Sequence, residues 1–286
     1  MFDMTNDSNL FLTRHELEQR GFEPGGLNRW RRGTDEVVPL YEGKMVQMYD
    51  HRAADVIVNP DNLHRVAQPD VIQEALKEQA DRYPVPQFFV SGEHIGANPY
   101  RWALGFKEIT APTNMRSMIA MILPQAAFGN KVPLLIPMDL SPDKAACVSA
   151  GVVANLNSFA FDFILRQKLQ GQTINLFILE QLPLIAPARF EESVGGLKIA
   201  DFIRENVLRL SYMAHDLAPF AGDLGYEGAP FRWDAEDRLL RMAALDALFM
   251  HLYGLGEDEA GYILDTFPIV REQDVGAFGR YRTRDL

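Results

Sequence analysis

The chain has 286 residues, of which 47% are hydrophobic and 10% aromatic, so it is long enough to bury a sizeable core and unlike a disordered protein. Cys147 is the single cysteine, which excludes an internal disulfide and a thiolate cage for a metal and fits a reducing cytoplasm. No apolar run reaches the roughly 18 residues of a membrane span, and the early acids do not suit a secretory signal. We therefore expect a cytoplasmic protein without membrane association.

The net charge of −11 disfavours a simple nucleic-acid binder, because such proteins usually carry a positive surplus. The acids are unevenly distributed, however. Residues 1–66 carry 8 cationic and 11 acidic side chains, residues 67–190 carry 10 of each, and residues 191–286 carry 10 against 18. Any surface that faces nucleic acid is therefore expected before the last third of the chain.

The first part of the chain has the pattern of short strands and hairpins. Residues 10–66 alternate apolar runs with turn signals such as Asn59-Pro60, and Val37–Tyr41 and Val56–Val58 are the clearest strands. Helical spacing then predicts a helix over residues 71–83, and strand character returns in residues 87–140.

Helices dominate the rest of the pattern. Ser141-Pro142-Asp143 predicts the start of a helix that runs to about Leu156, and a second helix follows over residues 157–169. Residues 172–185 have the pattern of a strand. Two amphipathic helices follow, over residues 199–217 and 234–255. The fold class is therefore a mixed α+β fold, with a sheet-containing domain over residues 1–190 and a helical subdomain over residues 191–286.

The segment Pro39–Arg52, with the sequence PLYEGKMVQMYDHR, interleaves aromatic residues with cations. Such a pattern suits a surface that meets nucleic acid, because cations neutralise phosphates and planar groups contact bases. Lys44 and Arg52 would contact phosphates or guanine edges, with Tyr49 packing nearby. The alternative is a strand and turn whose charges pair internally, for example Asp50 with Arg52.

Two further groups of side chains are candidates for DNA contact. Arg101 and Lys107 stand near aromatic residues in the sequence, as cations do in the first segment. In Thr113-Asn114-Met115-Arg116, Asn114 could read an adenine edge and Arg116 a guanine edge. The alternative for this segment is a turn whose polar side chains satisfy local carbonyls and acids.

Arg166 is the last candidate for DNA contact, and its position in the sequence also predicts a structural role. It lies four residues after Asp162, on one face of a predicted helix, where an ion pair is the simple explanation. A contact to a DNA phosphate is the functional alternative.

A second class of function is a magnesium-dependent nuclease. Glu42-Gly43-Lys44 has the acid-x-lysine spacing that such nucleases place on a strand, and Asp35 would supply a second metal ligand. Only seven residues separate Asp35 from Glu42, which is short for two adjoining strands and a turn. A third possibility is a protein-interaction scaffold that makes no DNA contact.

Five strings occur in a characteristic order along the chain: FDMTNDSNLF, PLYEGKMVQMYDHR, ITAPTNMRSMIAMILP, LNSFAFDFILRQKLQG with TINLFILEQLPL, and LYGLGEDEAGYILDTFPIV. On these strings the chain resembles the C-terminal half of large bacterial adenine-specific DNA methyltransferases. That group includes the modification subunits of the DISARM and BREX phage-defence systems and the fused type IIG restriction–modification enzymes. The resemblance implies a target recognition domain with a small sheet and packed helices, followed by a helical C-terminal subdomain.

The catalytic motifs of that family are not found in this sequence. An NPPY-type loop holds the flipped adenine in such enzymes, but Asn98-Pro99-Tyr100 lacks the second proline and reads as an ordinary turn. No glycine-rich turn for S-adenosylmethionine follows a hydrophobic strand. We therefore expect no catalytic residue, metal or cofactor in this chain, and S-adenosylmethionine in a catalytic half.

The resemblance thus implies sequence-specific recognition of double-stranded DNA on behalf of an adenine methyltransferase in a restriction–modification or phage-defence system. The catalytic domain would be joined in cis or supplied as a separate chain. The abrupt start at Met1, directly on a family string, and the abrupt end at TRDL suggest a fragment or the product of a split gene.

Overall fold

The computed structural model describes residues 1–58, 67–111 and 114–286. The predicted turn at Asn59-Pro60 and residue Thr113 lie outside this part. The fold is mixed α+β, with about 42% helix and 18% strand, which confirms the predicted class. The strands are β1 Glu23–Gly26, β2 Arg29–Arg32, β3 Asp35–Tyr41, β4 Ala54–Ile57, β5 Gln68–Val71, β6 Phe89–Ser91, β7 Trp102–Phe106, β8 Ala120–Pro124, β9 Ala127–Phe128, β10 Leu134–Leu135, β11 Ser193–Val194 and β12 Leu197–Lys198.

The helices become longer after residue 140. They are α1 Arg14–Gln19, α2 Glu74–Lys77, α3 Pro142–Leu156, α4 Phe159–Lys168, α5 Leu176–Leu179, α6 Ile199–Ser211, α7 Ala218–Asp223, α8 Ala235–Leu252, α9 Glu257–Asp265, α10 Pro268–Phe278 and α11 Arg282–Asp285. Within the described ranges, no single helix is long and apolar enough to cross a membrane. The neighbours α3 and α4 reach that length only together, across a bend of 63°.

The strands form several small sheets. The first has the order β1-β2-β3-β6 with antiparallel neighbours, and β9 pairs with β3 in parallel. A second sheet has the order β10-β7-β8, and β4-β5 and β11-β12 are hairpin pairs. The strands predicted at Val37–Tyr41 and Val56–Val58 are thus observed as β3 and β4, with slightly different bounds.

The β10-β7-β8 sheet lies at the centre of the molecule, because every residue of β7 and β8 is buried. Alternate residues of a strand point to opposite faces, and here both faces are covered. Leu104 and Ile122 belong to the large core formed with the helices. Met121 and Leu123 belong to a second core on the other face, together with Tyr41 at the end of β3 and other buried residues.

The long helices begin where local capping chemistry predicts. Pro142 occupies the first turn of α3, the Ser158 side chain accepts a hydrogen bond from Phe161 N at the start of α4, and Asp234 caps α8. Gly254, with φ of 73°, ends α8 in the left-handed conformation that glycine adopts without steric cost.

One hydrophobic core extends across residue 190, the predicted domain boundary. Trp102 and Phe161 from the first part pack in the same cluster as Ile203 and Phe249 from the second. The indole Nε1 of Trp102 also donates a 2.7 Å hydrogen bond to Asp223 Oδ2. The helices after residue 190 are therefore packed onto the central sheet.

The helix predicted over residues 71–83 is wrong for most of its length. Gln68–Val71 is strand β5, and only the single turn of α2 is helical. The carbonyls of Lys77, Gln79 and Arg82 instead accept hydrogen bonds from the Arg52 guanidinium. A tertiary contact thus replaces the helical hydrogen bonds that the sequence pattern suggested.

The strand predicted over residues 172–185 is also wrong. Asn175 caps the one-turn helix α5, with its side-chain oxygen accepting a 2.9 Å hydrogen bond from Ile178 N. The local cap offers the backbone an alternative to strand pairing, and Leu176 and Phe177 remain exposed.

Substitutions at two glycines would measure how tightly α3 and α10 are packed. A Cβ at Gly151 in α3 would overlap the ring of Phe190, whereas one at Gly276 in α10 would meet nothing within 4 Å. We expect Gly151→Ala to lower the free energy of unfolding by about 1–3 kcal/mol through overpacking. Gly276→Ala should raise it by roughly 0.5–1 kcal/mol through helix propensity. Urea denaturation measures both, and an unchanged stability for Gly151→Ala would contradict this packing.

Candidate nucleic-acid interface

A cleft of about 830 Å³ lies between the central sheet and the C-terminal helices. Its walls come from the segment after β3, from β5 and α2, from the β7–β8 connection and from α8 and α10. The described residues that line it include five cations and one acid, together with three amides: Lys44, Lys77, Lys107, Arg116, Arg238, Asp50, Gln47, Asn114 and Gln273. We call this the basic cleft.

The inner part of the basic cleft is a paired cluster. Lys77 Nζ lies 2.5 Å from Asp50 Oδ2 and 4.3 Å from the centre of the Trp233 ring, and the Arg238 guanidinium lies 4.0 Å from the same ring. Burial opposes ionisation of Asp50, but Lys77 and Arg238 outweigh it and leave the pKa of Asp50 below its usual value. Burial lowers the pKa of Arg238 to about 10. These groups stabilise one another and form a rigid floor.

Three of the predicted DNA-contacting residues lie at the accessible part of the cleft. Asn114 is exposed, and the side chains of Lys44 and Lys107 are partly exposed. Lys44 Nζ donates a 2.9 Å hydrogen bond to Ala67 O and lies 3.0 Å from Glu42 Oε2. The structure thus brings together residues that are 70 positions apart in the sequence, at one surface.

Arg116 lines the same cleft, but its guanidinium is turned inward. The group is 5% exposed, lies 3.5 Å from the centre of the Phe159 ring, and donates to Asn157 O. Asp246 and Asp162 lie 3.4 and 3.7 Å away, and burial raises the pKa of both carboxyls despite the Arg116 charge. In this conformation Arg116 joins the β7–β8 connection to α4 and α8, as in the structural alternative for this segment.

Arg166 also contacts the β7–β8 connection. Its guanidinium donates to Asn114 O at 2.7 Å and to Met115 O at 3.2 Å, and it stacks 4.1 Å from the Phe267 ring centre. Arg166 Nε lies 3.7 Å from Asp162 Oδ1, which is the helical ion pair that the spacing predicts. The role of Arg166 seen here is to position Asn114 at the rim of the cleft.

Arg52 lies in the interior. It is 1% exposed, and its guanidinium donates hydrogen bonds of 2.9–3.0 Å to the carbonyls of Lys77, Gln79, Arg82 and Met213. Burial lowers the pKa of Arg52, with Asp50 opposing that effect. The guanidinium is therefore not available to a ligand at the surface. Its partners are carbonyls, and Asp50 pairs with Lys77 rather than with Arg52.

The two remaining predicted residues lie apart from the basic cleft. Tyr49 is buried in the large core with a φ of 54°, and its N–H donates to Ala120 O at 3.1 Å. Burial raises the pKa of Tyr49, and Asn157 hydrogen-bonds its hydroxyl. Arg101 is exposed and lines a different, smaller cavity of about 140 Å³, which Arg29 and Asp216 also line.

The acids of the nuclease alternative do not meet. Asp35 and Glu42 stand at opposite ends of the extended strand β3, roughly 20 Å apart at the usual rise per residue. Lys44 belongs to a 3₁₀ turn after that strand, where it pairs with Glu42. Within residues 1–58, 67–111 and 114–286, no three His, Cys, Asp or Glu side chains form a group that could hold a metal ion.

Sequence reasoning missed Lys77, Trp233 and Arg238, which complete the cleft. Lys77 was part of the helix predicted over residues 71–83, and the other two lie beyond the predicted domain boundary. No local spacing joins them, since tertiary packing alone brings them together. The Asn98-Pro99-Tyr100 segment is an Asx turn, in which Asn98 Oδ1 accepts from Tyr100 N at 3.0 Å.

Comparison of the chain with known protein families, with curated proteins and with solved structures finds no match.

The buried position of Arg52 predicts a large effect on stability. Arg52→Gln should lower the free energy of unfolding by about 3–5 kcal/mol, because it leaves several buried carbonyls without donors. The matched variant Arg101→Gln, at an exposed arginine, should change it by less than about 0.5 kcal/mol. Chemical denaturation followed by circular dichroism measures both values. Equal stabilities would show that Arg52 does not brace the interior.

Proposed function

We propose that this chain is the DNA target recognition module of an adenine-specific DNA methyltransferase in a restriction–modification or phage-defence system. The observation that carries the proposal is the basic cleft, which five cations and one acid line and in which Lys44 and Lys107 are accessible. A local excess of cations in a concave surface attracts a polyanion, and low-dielectric walls concentrate its field.

The arrangement of the cleft suggests how DNA would be held. Lys44 and Lys107 are accessible ammonium groups on flexible stems, which suit phosphate contacts. Asn114 is an exposed amide on a connection that Arg166 and Arg116 hold in place, and an amide can bond an adenine edge with two hydrogen bonds. Recognition would thus combine phosphate contacts from the lysines with base contacts from Asn114.

The choice of an adenine methyltransferase rests on the five ordered strings rather than on the cleft. In this proposal a catalytic domain, joined in cis or as a separate chain, supplies the adenine pocket and S-adenosylmethionine, and the chain acts in the cytoplasm. The NPPY-bearing reading frame that the proposal requires would lie next to, or upstream of, the gene for this chain.

Binding to duplex DNA across a salt series tests the proposal. The wild-type chain should bind duplexes with an affinity that falls linearly on a plot of log K against log salt. Lys44→Gln should weaken binding to all sequences and reduce the slope by about 1, because one phosphate contact is lost. Lys198→Gln, at an exposed lysine outside the cleft, is the control and should leave the slope unchanged.

A second variant tests the proposed base contact separately from the phosphate contacts. Asn114→Ala should remove preference at one position of the preferred site, by about 1–3 kcal/mol, and leave the salt slope unchanged. A library of randomised duplexes measures this loss.

Failure of the wild type to bind any duplex, alone or with the catalytic domain, would favour the protein-interaction scaffold. Magnesium-dependent cleavage lost in Glu42→Ala would favour the nuclease.

A further inference from the structure

A second cavity, of about 410 Å³, adjoins the basic cleft and shares two lysines with it. Lys44 and Lys107 line both spaces, and Lys131 lines only the second. Three cations from three separate segments therefore converge here: the turn after β3, the end of β7 and the turn after β9. We call this space the lysine cavity.

The two turns of the lysine cavity are in direct contact. A Cβ at Gly43 would lie 3.3 Å from Lys131 O, so the backbone of one turn packs against the other. Gly129 N donates a 2.9 Å hydrogen bond to Tyr41 O, which fixes the second turn to the end of β3. Lys44 and Lys131 consequently stand on adjoining rims.

Two of the three lysines have carboxylate partners. Lys44 Nζ lies 3.0 Å from Glu42 Oε2, and Lys131 Nζ lies 2.8 Å from Glu108 Oε2. Both are close ion pairs. The cavity as a whole, with Glu108 beside it, therefore carries one more positive than negative charge, and Lys107 is the cation in excess.

Lys107 is partly buried, and among the described residues it forms no ion pair with a carboxylate. Burial alone lowers the pKa of its ammonium, with no acid raising it again. A partly shielded ammonium without a counter-charge in contact with it costs folding free energy. Such a cost is found at sites where a ligand supplies the missing charge, because the group is then paired in the bound state.

We propose that the lysine cavity binds one phosphate group of the nucleic acid in the basic cleft, with Lys107 as the main partner and Lys44 and Lys131 on either side. This inference rests on the proposed function, since it extends the path of the DNA backbone from the cleft past Lys107 to the turn at Lys131. A free phosphate offers the same chemistry, and the experiments below distinguish the two sources.

Replacement of Lys107 gives opposite effects on stability and on binding. Lys107→Met should raise the melting temperature at neutral pH, because it removes a charge that burial disfavours. The gain should shrink as pH rises through the folded-state pKa, where the wild-type ammonium loses its proton.

The same variant should weaken duplex binding and reduce the salt slope by about 1. A residue that only maintains the fold would lower stability and leave binding by the folded protein unchanged, and that result would overturn the proposal.

Glu108→Gln tests the site by removing a negative charge, whereas Lys107→Met removes a positive one. It releases Lys131 from its carboxylate, so duplex binding should tighten by about two- to fivefold. Glu180→Gln, at an exposed acid outside both cavities, is the matched control. Equal effects of the two substitutions would mean that only overall charge matters, and would contradict a site at Lys131.

Nuclear magnetic resonance of ¹³C-methylated lysines identifies the ligand in the wild-type chain. If a duplex shifts the Lys107 signal and millimolar inorganic phosphate does not, the backbone is the source. If phosphate shifts Lys107 selectively but no duplex binds, the phosphate site stands and the proposed function fails. If a duplex binds without shifting Lys107, or all lysines shift alike, the site is overturned and the proposed function is judged on its own tests.

Discussion

The buried guanidinium of Arg52 is the interaction on which the arrangement of the cleft depends. Its planar fork carries five donors, so one side chain can hold carbonyls from two distant segments. Those carbonyls belong to residues 77–82 and to Met213, just after α6. The same contact places Lys77 beside Asp50 and Trp233. A cation in the interior thereby helps to determine where Lys77, in the floor of the cleft, lies.

The acidic composition of the chain and its basic cleft are compatible because charges act over short distances. At physiological ionic strength the Debye length is about 8 Å, so exposed acids farther away are largely screened. Eighteen acids lie in the last third of the chain, and of these none lines the cleft among the described residues. Lys77, Arg116 and Arg238 are buried, so Lys44 and Lys107 are the cleft cations that an approaching polyanion would meet, and net charge is a poor guide here.

Sequence reasoning succeeded where the determinants are local. The helices α3, α4 and α8 follow from capping residues and apolar spacing, and β3 follows from a short apolar run between turn signals. It failed where distant residues compete for the backbone, as Arg52 does for residues 77–82. It also could not separate the roles of Lys44 and Arg52, which share one string. One is partly exposed and the other buried, and residue type alone does not decide between them.

The core that crosses residue 190 limits how this protein can be divided or recombined. Phe190 packs edge-on against Phe249 at 6.2 Å, and Trp102 packs against Phe220 at 5.1 Å. An exchange of gene segments at the change in sequence character near residue 190 would separate both pairs and expose two apolar surfaces. The unit that keeps its core intact must extend past α8 and through α10, because Phe159 also packs edge-on against Phe267 at 4.8 Å. The helices would then have to be exchanged together with the sheet.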